Sequence, residues 1–175
     1  TGKVGQALVD LLIEDGANVS FNDIRDENIK AVTNKHSGVT LVSAAELYDV
    51  EMDIYAPCAL GATVNSDALS RLRCTIIAGS ANNQLEDEVI HGKMCADKGI
   101  LYAPDFLINA GGLINVYTEL EGYNQKRAME KTEHIYEATL DVFKIAARDQ
   151  VTTNTAAARL AEKRIEDISR IKLTM

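Results

Sequence analysis

The chain has 175 residues, of which 46% are apolar and 25% charged, an ordinary composition for one globular domain or for one domain with a helical extension. Its 26 acidic residues outnumber the 18 basic ones, and the formal charge of −8 argues against a nucleic-acid backbone as partner. Backbone N–H groups could still hold a small anion. The longest apolar runs fall far short of the ~20 residues that a membrane-spanning helix needs.

The three cysteines do not fit a disulfide framework or a zinc site, because their number is odd and no Cys-x-x-Cys pair occurs. Free thiols favour a reducing compartment, so we expect a cytoplasmic protein. The chain opens on Thr1-Gly2 without a methionine or a signal peptide. We therefore expect a fragment, a processed chain or an excised domain.

The first predicted element is an amphipathic helix. Its apolar positions follow helical spacing and predict one buried stripe, formed by Val4, Ala7, Leu8, Leu11 and Leu12. Gly16 follows, where a left-handed C-terminal cap is expected. Strands are predicted at 18–22 and 38–42, with a polar-faced helix at 26–35 between them.

The alternation continues through the middle of the chain. Strands are predicted at 53–56, 74–78 and 100–103, separated by helices at 66–72 and 85–97. The continuous apolar strand at 74–78 is typical of a parallel sheet that is covered on both faces. Repeated alternation of strand and helix predicts an α/β fold with a doubly wound parallel sheet.

From Asn109 onward the pattern becomes helical. One amphipathic helix carries Leu113 to Leu120, and a longer one spans about 128–146. Thr153 or Asn154 is expected to cap a last helix. No low-complexity tract or Gly/Ser linker separates this helical region from the α/β region.

Two features near the start of the chain favour a dinucleotide. Gly2-Lys3-Val4-Gly5 would complete a G-x-G-x-x-G motif if one glycine preceded Thr1, although alone it could equally be a glycine-rich cap. Asp23 lies 21 positions after Gly2 and could accept both ribose hydroxyls while repelling a 2′-phosphate, unless it is an ordinary turn residue. Together they favour NAD, and Arg25 leaves NADP open.

Glycine-rich segments follow two of the later strands, at 57–63 and 78–83. Loops at the carboxyl ends of parallel strands bind ligands, and Asn82 and Asn83 could match a carboxamide. Two adjacent glycines follow Asn109, which suggests close approach of a ligand or of another backbone. Ordinary turns and tight helix packing remain the alternatives.

Other reactive side chains show no supporting pattern. Cys58 has no evident base partner, and buried free cysteines are common. His36, His91 and His134 are isolated, so we expect all three on the surface. No metal-ligand spacing occurs.

Taken together, the segments 1–5, 57–61, 79–83 and 109–112, with Asp23, resemble the cofactor domain of the Glu/Leu/Phe/Val dehydrogenases. Within that family, 53–62 and 77–85 are most similar to the leucine dehydrogenase branch. The resemblance extends over nearly the whole chain in the right order.

The resemblance implies a Rossmann-like sheet that lacks its first strand, followed by C-terminal helices. It divides the chain into a dinucleotide-binding region at 1–124 and helices at 125–175 that pack towards an N-terminal substrate domain. That domain would carry the polarising lysine and the acid/base aspartate, so no catalytic residue is expected in this chain. The chain alone would be inactive, and its parent would be a homo-oligomer whose small-molecule substrate is an amino acid.

The resemblance also implies roles for individual residues. The cofactor-binding set is Gly2, Lys3, Val4, Asp23, Cys58, Ala59, Leu60, Ala81, Asn82 and Asn109. Leu113 and Val116 would line the pocket for the substrate side chain, and both are aliphatic, which favours a branched aliphatic substrate. The implied reaction is oxidative deamination of L-leucine or another branched-chain amino acid to the 2-oxo acid, with NADH and ammonia as the other products.

Two alternatives stay open. Another family member could act on phenylalanine or valine, because pocket residues outside this chain would decide between substrates. A non-catalytic NAD-sensing regulatory module would also use a glycine-rich turn and a ribose carboxylate. Such a module would not need the loops at 58–61 and 79–83, which favour the enzyme.

Overall fold

The computed structural model describes residues 1–172 and places helices and parallel strands in alternation through the first two thirds of the chain. The elements in chain order are α1 Lys3–Glu14, β1 Ser20–Phe21, α2 Asp26–Lys35, β2 Thr40–Leu41, β3 Ile54–Tyr55, α3 Ser66–Arg71, β4 Ile76–Ile77, α4 Glu88–Asp97, β5 Leu101–Tyr102, α5 Asp105–Ile108, α6 Gly111–Leu120, α7 Gln125–Asp149 and α8 Thr153–Lys172. Every predicted element is present, and the short helix α5 is additional. None of the helices in the described part is long and apolar enough to cross a membrane.

The strands pair in parallel, as predicted, but within residues 1–172 they form two sheets. One has the order β1-β2 and the other the order β3-β4-β5. Doubly wound sheets commonly have the order 3-2-1-4-5-6. The observed order matches this arrangement with its first strand left out, which agrees with the expectation from the sequence.

The three-stranded sheet is covered fully on one face only. Tyr55, Ile77 and Tyr102 point into the main core beneath α3 and α4. On the opposite face, Ile54 and Leu101 are 48% and 37% exposed. An open apolar groove separates this face from α7. The coverage of both faces predicted from the apolar strand at 74–78 is therefore complete on one face and partial on the other among the described residues.

Helix α1 has a different buried side from the predicted one. Val4 and Leu11 are 62% and 60% exposed, whereas Gly5 and Val9 are buried. Val9 packs with Phe21 and Val32 in a small core between α1, β1 and α2. Because apolar residues occur on more than one side of α1, their spacing alone did not determine which side faces the sheet.

Two local predictions had different outcomes: the left-handed helix end at Gly16 is confirmed, and the surface position of His91 is wrong. Gly16 and Gly99 have φ of +82° and +70°, so each provides the left-handed residue that ends a helix. His91, predicted to lie on the surface, is only 4% exposed. Its Nδ1 accepts from the Asp87 N–H at 2.9 Å and its Nε2 lies 3.2 Å from the Ser66 hydroxyl, so hydrogen bonds with the protein replace those with water.

The start of α4 is also set by side chains. The Asp87 carboxylate accepts from the backbone N–H groups of Val89 and Ile90 at 2.9 and 2.8 Å, so Asp87 is the N-cap. Leu85, predicted as the first helical residue, instead pairs with Val64 in an isolated parallel bridge. The helix therefore begins three residues later than predicted.

The C-terminal helices pack on each other. Val142 and Ala146 of α7 are buried against Ala156 and Ala157 of α8. Gln150, at φ +54°, ends α7 in the left-handed conformation, and three residues later α8 begins. Small residues on both helices allow this close antiparallel packing.

Candidate functional site

The first turn of α1 is open to solvent at the end of the sheet. Gly2 is the N-cap and has no side-chain cap, and nothing lies within 4 Å of the place where a Cβ would stand. The first four N–H groups of a helix have no partner within the helix, and they carry partial positive charge. This turn can therefore receive an anion such as a phosphate without obstruction.

Asp23 lies beside this turn, two residues after β1 ends. Its Oδ2 accepts from the Thr1 amine, from the Thr1 hydroxyl at 3.0 Å and from the Asn28 amide at 3.0 Å, and its Oδ1 accepts from the Arg25 N–H at 2.9 Å. Burial alone would raise the pKa of Asp23, but these hydrogen bonds lower it well below its usual value. The carboxylate is therefore ionised near neutral pH and acts as an acceptor only.

The same turn contacts the loop that follows β3. A Cβ placed on Gly5 would lie 3.6 Å from the Cβ of Cys58. Gly5 is buried, so the helix backbone packs closely on this loop, as the third glycine of the motif predicts. Cys58 itself is a half-buried free thiol.

The loops after β3 and β4 are joined by backbone hydrogen bonds. The N–H of Ala81 donates to Pro57 O at 3.0 Å, and the N–H of Ala62 donates to Asn83 O at 2.7 Å. A Cβ on Gly79 would stand 2.1 Å from Pro57 O, so only glycine fits there. Ala62 and Asn83 both adopt positive φ, at 57° and 51°.

The buried side chain of Gln84 holds the loop after β4 by hydrogen bonds from the interior of the protein. It is fully buried, and its amide donates to Gly79 O at 2.6 Å and to Ala81 O at 2.9 Å. No pattern in the sequence singled out this residue, because a glutamine after two asparagines carries no periodic signal. Its position became evident only from the hydrogen bonds.

Asn109 joins the site from the connection between α5 and α6. Its Nδ2 donates to Asn82 Oδ1 at 2.6 Å. This contact leaves the Asn109 Oδ1 and the Asn82 Nδ2, one acceptor and one donor, without a hydrogen bond among the described residues. Such a pair matches the two groups of a carboxamide.

The remaining predicted residues are accessible. Lys3, Ala59 and Leu60 are exposed, and Leu60 is 70% exposed. Leu113 and Val116 lie one turn apart on α6 and are 73% and 58% exposed, so they do not pack in a core of this chain. They are available as the wall of a pocket formed with other groups.

Contacts thus connect most of the predicted cofactor residues along one edge of the fold. The contacts run from Asp23 to Thr1, just before α1, from Gly5 of α1 to Cys58, from the neighbouring Pro57 to Ala81, and from the next residue, Asn82, to Asn109. These segments lie at the carboxyl ends of parallel strands or at helix N-termini, which is where α/β sheets bind nucleotides. The fold and this edge define the class of a Rossmann-type dinucleotide-binding domain.

Comparison with known proteins gives the family. The profile of the Glutamate/Leucine/Phenylalanine/Valine dehydrogenase family matches residues 18–171, and the chain belongs to this family. It is 49% identical over 173 residues to a leucine dehydrogenase from Thermoactinomyces intermedius, covering 99% of this chain and 47% of that protein. It is 45% identical over 168 residues to a phenylalanine dehydrogenase from Bacillus thermotolerans, covering 94% of this chain and 44% of that protein.

A solved structure agrees with this assignment. The crystal structure of L-tryptophan dehydrogenase from Nostoc punctiforme superposes with a TM-score of 0.92 at 46% identity, covering 95% of this chain and 50% of that one. The chain spans about half the length of the curated relatives that it matches. The relatives include enzymes named for leucine, phenylalanine and tryptophan, and no finding supports a regulatory module.

Proposed function

We propose that this chain binds NAD along the edge that runs from Asp23 to Asn109. The observation that carries the proposal is that contacts bring together, along one edge, the groups that a dinucleotide needs and in the order in which it needs them. These are a ribose acceptor, a free helix N-terminus, close-packed glycine loops and a carboxamide partner. Dehydrogenases of this family are NAD-dependent, which supports the assignment.

In this proposal each part of the edge has one task. Asp23 accepts from the adenosine ribose hydroxyls, and the N–H groups of Gly2, Lys3 and Val4 face the pyrophosphate. Cys58, Ala59 and Leu60 lie along the riboses, Ala81 and Asn82 line the nicotinamide ribose, and Asn109 with Asn82 holds the carboxamide. The small side chains in these loops let backbone approach the cofactor closely.

We further propose that the whole protein containing this chain oxidatively deaminates an apolar L-amino acid. Bound NAD supplies the acceptor for the hydride that leaves the α-carbon. Water then replaces nitrogen at that carbon, so that the products are a 2-oxo acid, ammonia, NADH and a proton. The residues described here orient the cofactor, whereas proton transfer belongs to groups outside residues 1–175, so the isolated chain should show no useful turnover.

Leucine or another branched-chain amino acid is the first candidate substrate. Leu113 and Val116 support it, because aliphatic walls favour an aliphatic side chain and offer no partner to the charged group of glutamate. An aromatic amino acid is the second candidate, since relatives of nearly equal similarity are named for phenylalanine and tryptophan. NADH absorbance of the whole protein over a panel of leucine, valine, phenylalanine, tryptophan and glutamate separates the two.

Asp23 gives the test of the cofactor assignment. Asp23→Ser in the whole protein should narrow the preference for NAD over NADP by about 1–3 kcal/mol, because a charge-assisted acceptor is lost and a 2′-phosphate no longer meets a like charge. Asp26→Ser, three residues later on the exposed first turn of α2, is the matched control. Equal use of NADP and NAD before mutation would mean that Arg25 overrides Asp23.

Three broader expectations belong to the same proposal. The chain divides into a dinucleotide-binding region at 1–124 and C-terminal helices at 125–175 that pack towards a substrate domain. The whole protein is a homo-oligomer. The three free cysteines of this chain favour a cytoplasmic location.

A further inference from the structure

Asn28 contacts the ribose-binding candidate rather than its own helix. It lies in the first turn of α2, and its side-chain amide donates to Asp23 Oδ2 at 3.0 Å. In a capping box, a Glu or Gln at this third helical position reaches back to the backbone N–H of the N-cap. Here the N–H of the N-cap, Arg25, donates to the Asp23 carboxylate instead.

The two bonds from α2 hold the carboxylate by both oxygens. Arg25 N–H fixes Oδ1 at 2.9 Å, and Asn28 fixes Oδ2. A carboxylate held on only one oxygen can rotate about its last side-chain bond. Without Asn28, α2 and its N-cap would hold the carboxylate by Oδ1 only, and the remaining contacts of Oδ2 would come from Thr1.

The charges around Asp23 add a second reason for this contact. Asp26 and Glu27 follow in the same turn, so three carboxylates lie within five residues. The side-chain amide of Asn28 is a neutral donor, and an amide nitrogen can only donate. It therefore orients the Asp23 carboxylate but leaves its negative charge in place. An arginine or a lysine at this position would neutralise that charge.

We propose that Asn28 is a positioning residue for the cofactor: it holds Asp23 so that the carboxylate faces the hydroxyls of an unphosphorylated adenosine ribose. This inference rests on the proposed NAD site. Asn28 does not touch the reacting atoms, so it sets how tightly the dinucleotide binds and how strongly NAD is preferred. It leaves the chemical step unchanged.

The test uses the whole protein with Asn28→Ala and with Asn28→Leu, which keeps nearly the same size and removes the donor without adding a charge. We expect KM for NAD to rise on the order of tenfold with kcat nearly unchanged, because a hydrogen bond to a charged group is lost. The preference for NAD over NADP should fall in parallel. Asn34→Ala, an exposed asparagine near the end of the same helix, is the matched control and should change neither quantity.

A double-mutant cycle shows whether Asn28 acts through Asp23. In an Asp23→Ser background, Asn28→Ala should add little to the rise in KM, since its partner is already gone. Full additivity of the two effects would overturn the inference. So would an Asn28→Ala protein with a lower melting temperature but an unchanged KM for NAD, because Asn28 would then only stabilise the helix.

The outcomes also separate this inference from the proposed function. If the unmodified protein forms no NADH with any amino acid and does not bind NAD, the proposed function fails and the positioning role falls with it. If the unmodified protein uses NAD and Asn28→Ala leaves both KM and the NADP preference unchanged, only the inference fails.

Discussion

Gly79→Ala is expected to disrupt the junction between the two strand-end loops. Gly79 is buried, and an added Cβ would stand 2.1, 2.5 and 2.7 Å from O, N and C of Pro57. All three are backbone atoms, so no side chain can move aside to relieve the overlap. Pro57 is buried as well and accepts from the Ala81 N–H at 3.0 Å, so either backbone must shift and strain that bond.

The loss of stability expected for Gly79→Ala has two contributions. Overpacking of a well-packed site costs about 1–3 kcal/mol. A weakened backbone hydrogen bond adds about 0.5–1.5 kcal/mol. We therefore expect a loss of about 2–4 kcal/mol in the free energy of unfolding, which for a domain of this size lowers the melting temperature by about 5–15 °C.

Thermal and guanidinium unfolding of the whole protein, followed by circular dichroism, measure this loss. Gly112→Ala is the control, because nothing lies within 4 Å of its added Cβ and the position is helical. Alanine should leave stability unchanged there or raise it by up to about 1 kcal/mol. Equal melting temperatures for Gly79→Ala and the unmodified protein would refute the close approach of Gly79 to Pro57.

Three further outcomes test other parts of the structure. Of the three thiols in this chain, Cys58 should be the first to react with a disulfide reagent, and NAD should slow its reaction. Cys74 and Cys95 should stay unreactive in the folded protein, because burial raises the pKa of both thiols, that of Cys95 to about 11. Hydrogen bonds from Lys35 and His36 at the end of α2 lower the pKa of Asp10 below its ordinary value of 3.8. The contribution of these bonds to stability is therefore fully present above pH 3.8 and is lost as the pH falls through the lower pKa of the folded protein. Melting curves of Asp10→Asn should therefore differ from the unmodified protein near pH 6 and converge in acid, and an offset independent of pH would contradict the ion pairs. Leu113→Ala should shift the ratio of kcat/KM values modestly from leucine towards bulkier substrates, with little loss of stability because Leu113 is 73% exposed. A large fall in melting temperature with an unchanged ratio would show that Leu113 packs in a core and does not line the pocket.

The parallel fold could be predicted from the sequence because its signals are local. Apolar runs marked the strands, and Gly16 marked the end of the first helix, where the structure gives it a positive φ. In a parallel sheet every carboxyl end lies at the same edge. Loops that are far apart in sequence could therefore be assigned to one site before any distance was known.

The side of each helix that faces the core could not be predicted in the same way. Apolar residues on several sides of α1 allowed more than one buried stripe, and packing against Phe21 and Val32 selected the side of Val9. His91 was assigned to the surface because neighbouring polar residues suggested an exposed face. The hydroxyl of Ser66 and the N–H of Asp87 instead provide hydrogen bonds in the interior.

The same distinction explains which parts of the candidate site were missed. Residue types at strand ends indicated Asp23 and Asn82, because a carboxylate or an amide at such a place has a recognisable use, whereas Asn109 was implied only by the family resemblance. Asn28 bonds to Asp23 and Gln84 bonds to the carbonyl groups of Gly79 and Ala81, and nothing in the sequence context of Asn28 or Gln84 shows which partner it meets. Whether Asn28 contacts Asp23 depends on the rotation of α2 by a fraction of a turn, and a one-residue change of helical phase moves a side chain by about 100°. Residues that orient a site are therefore found from hydrogen bonds in the fold, even where the residues that form it can be predicted from the sequence.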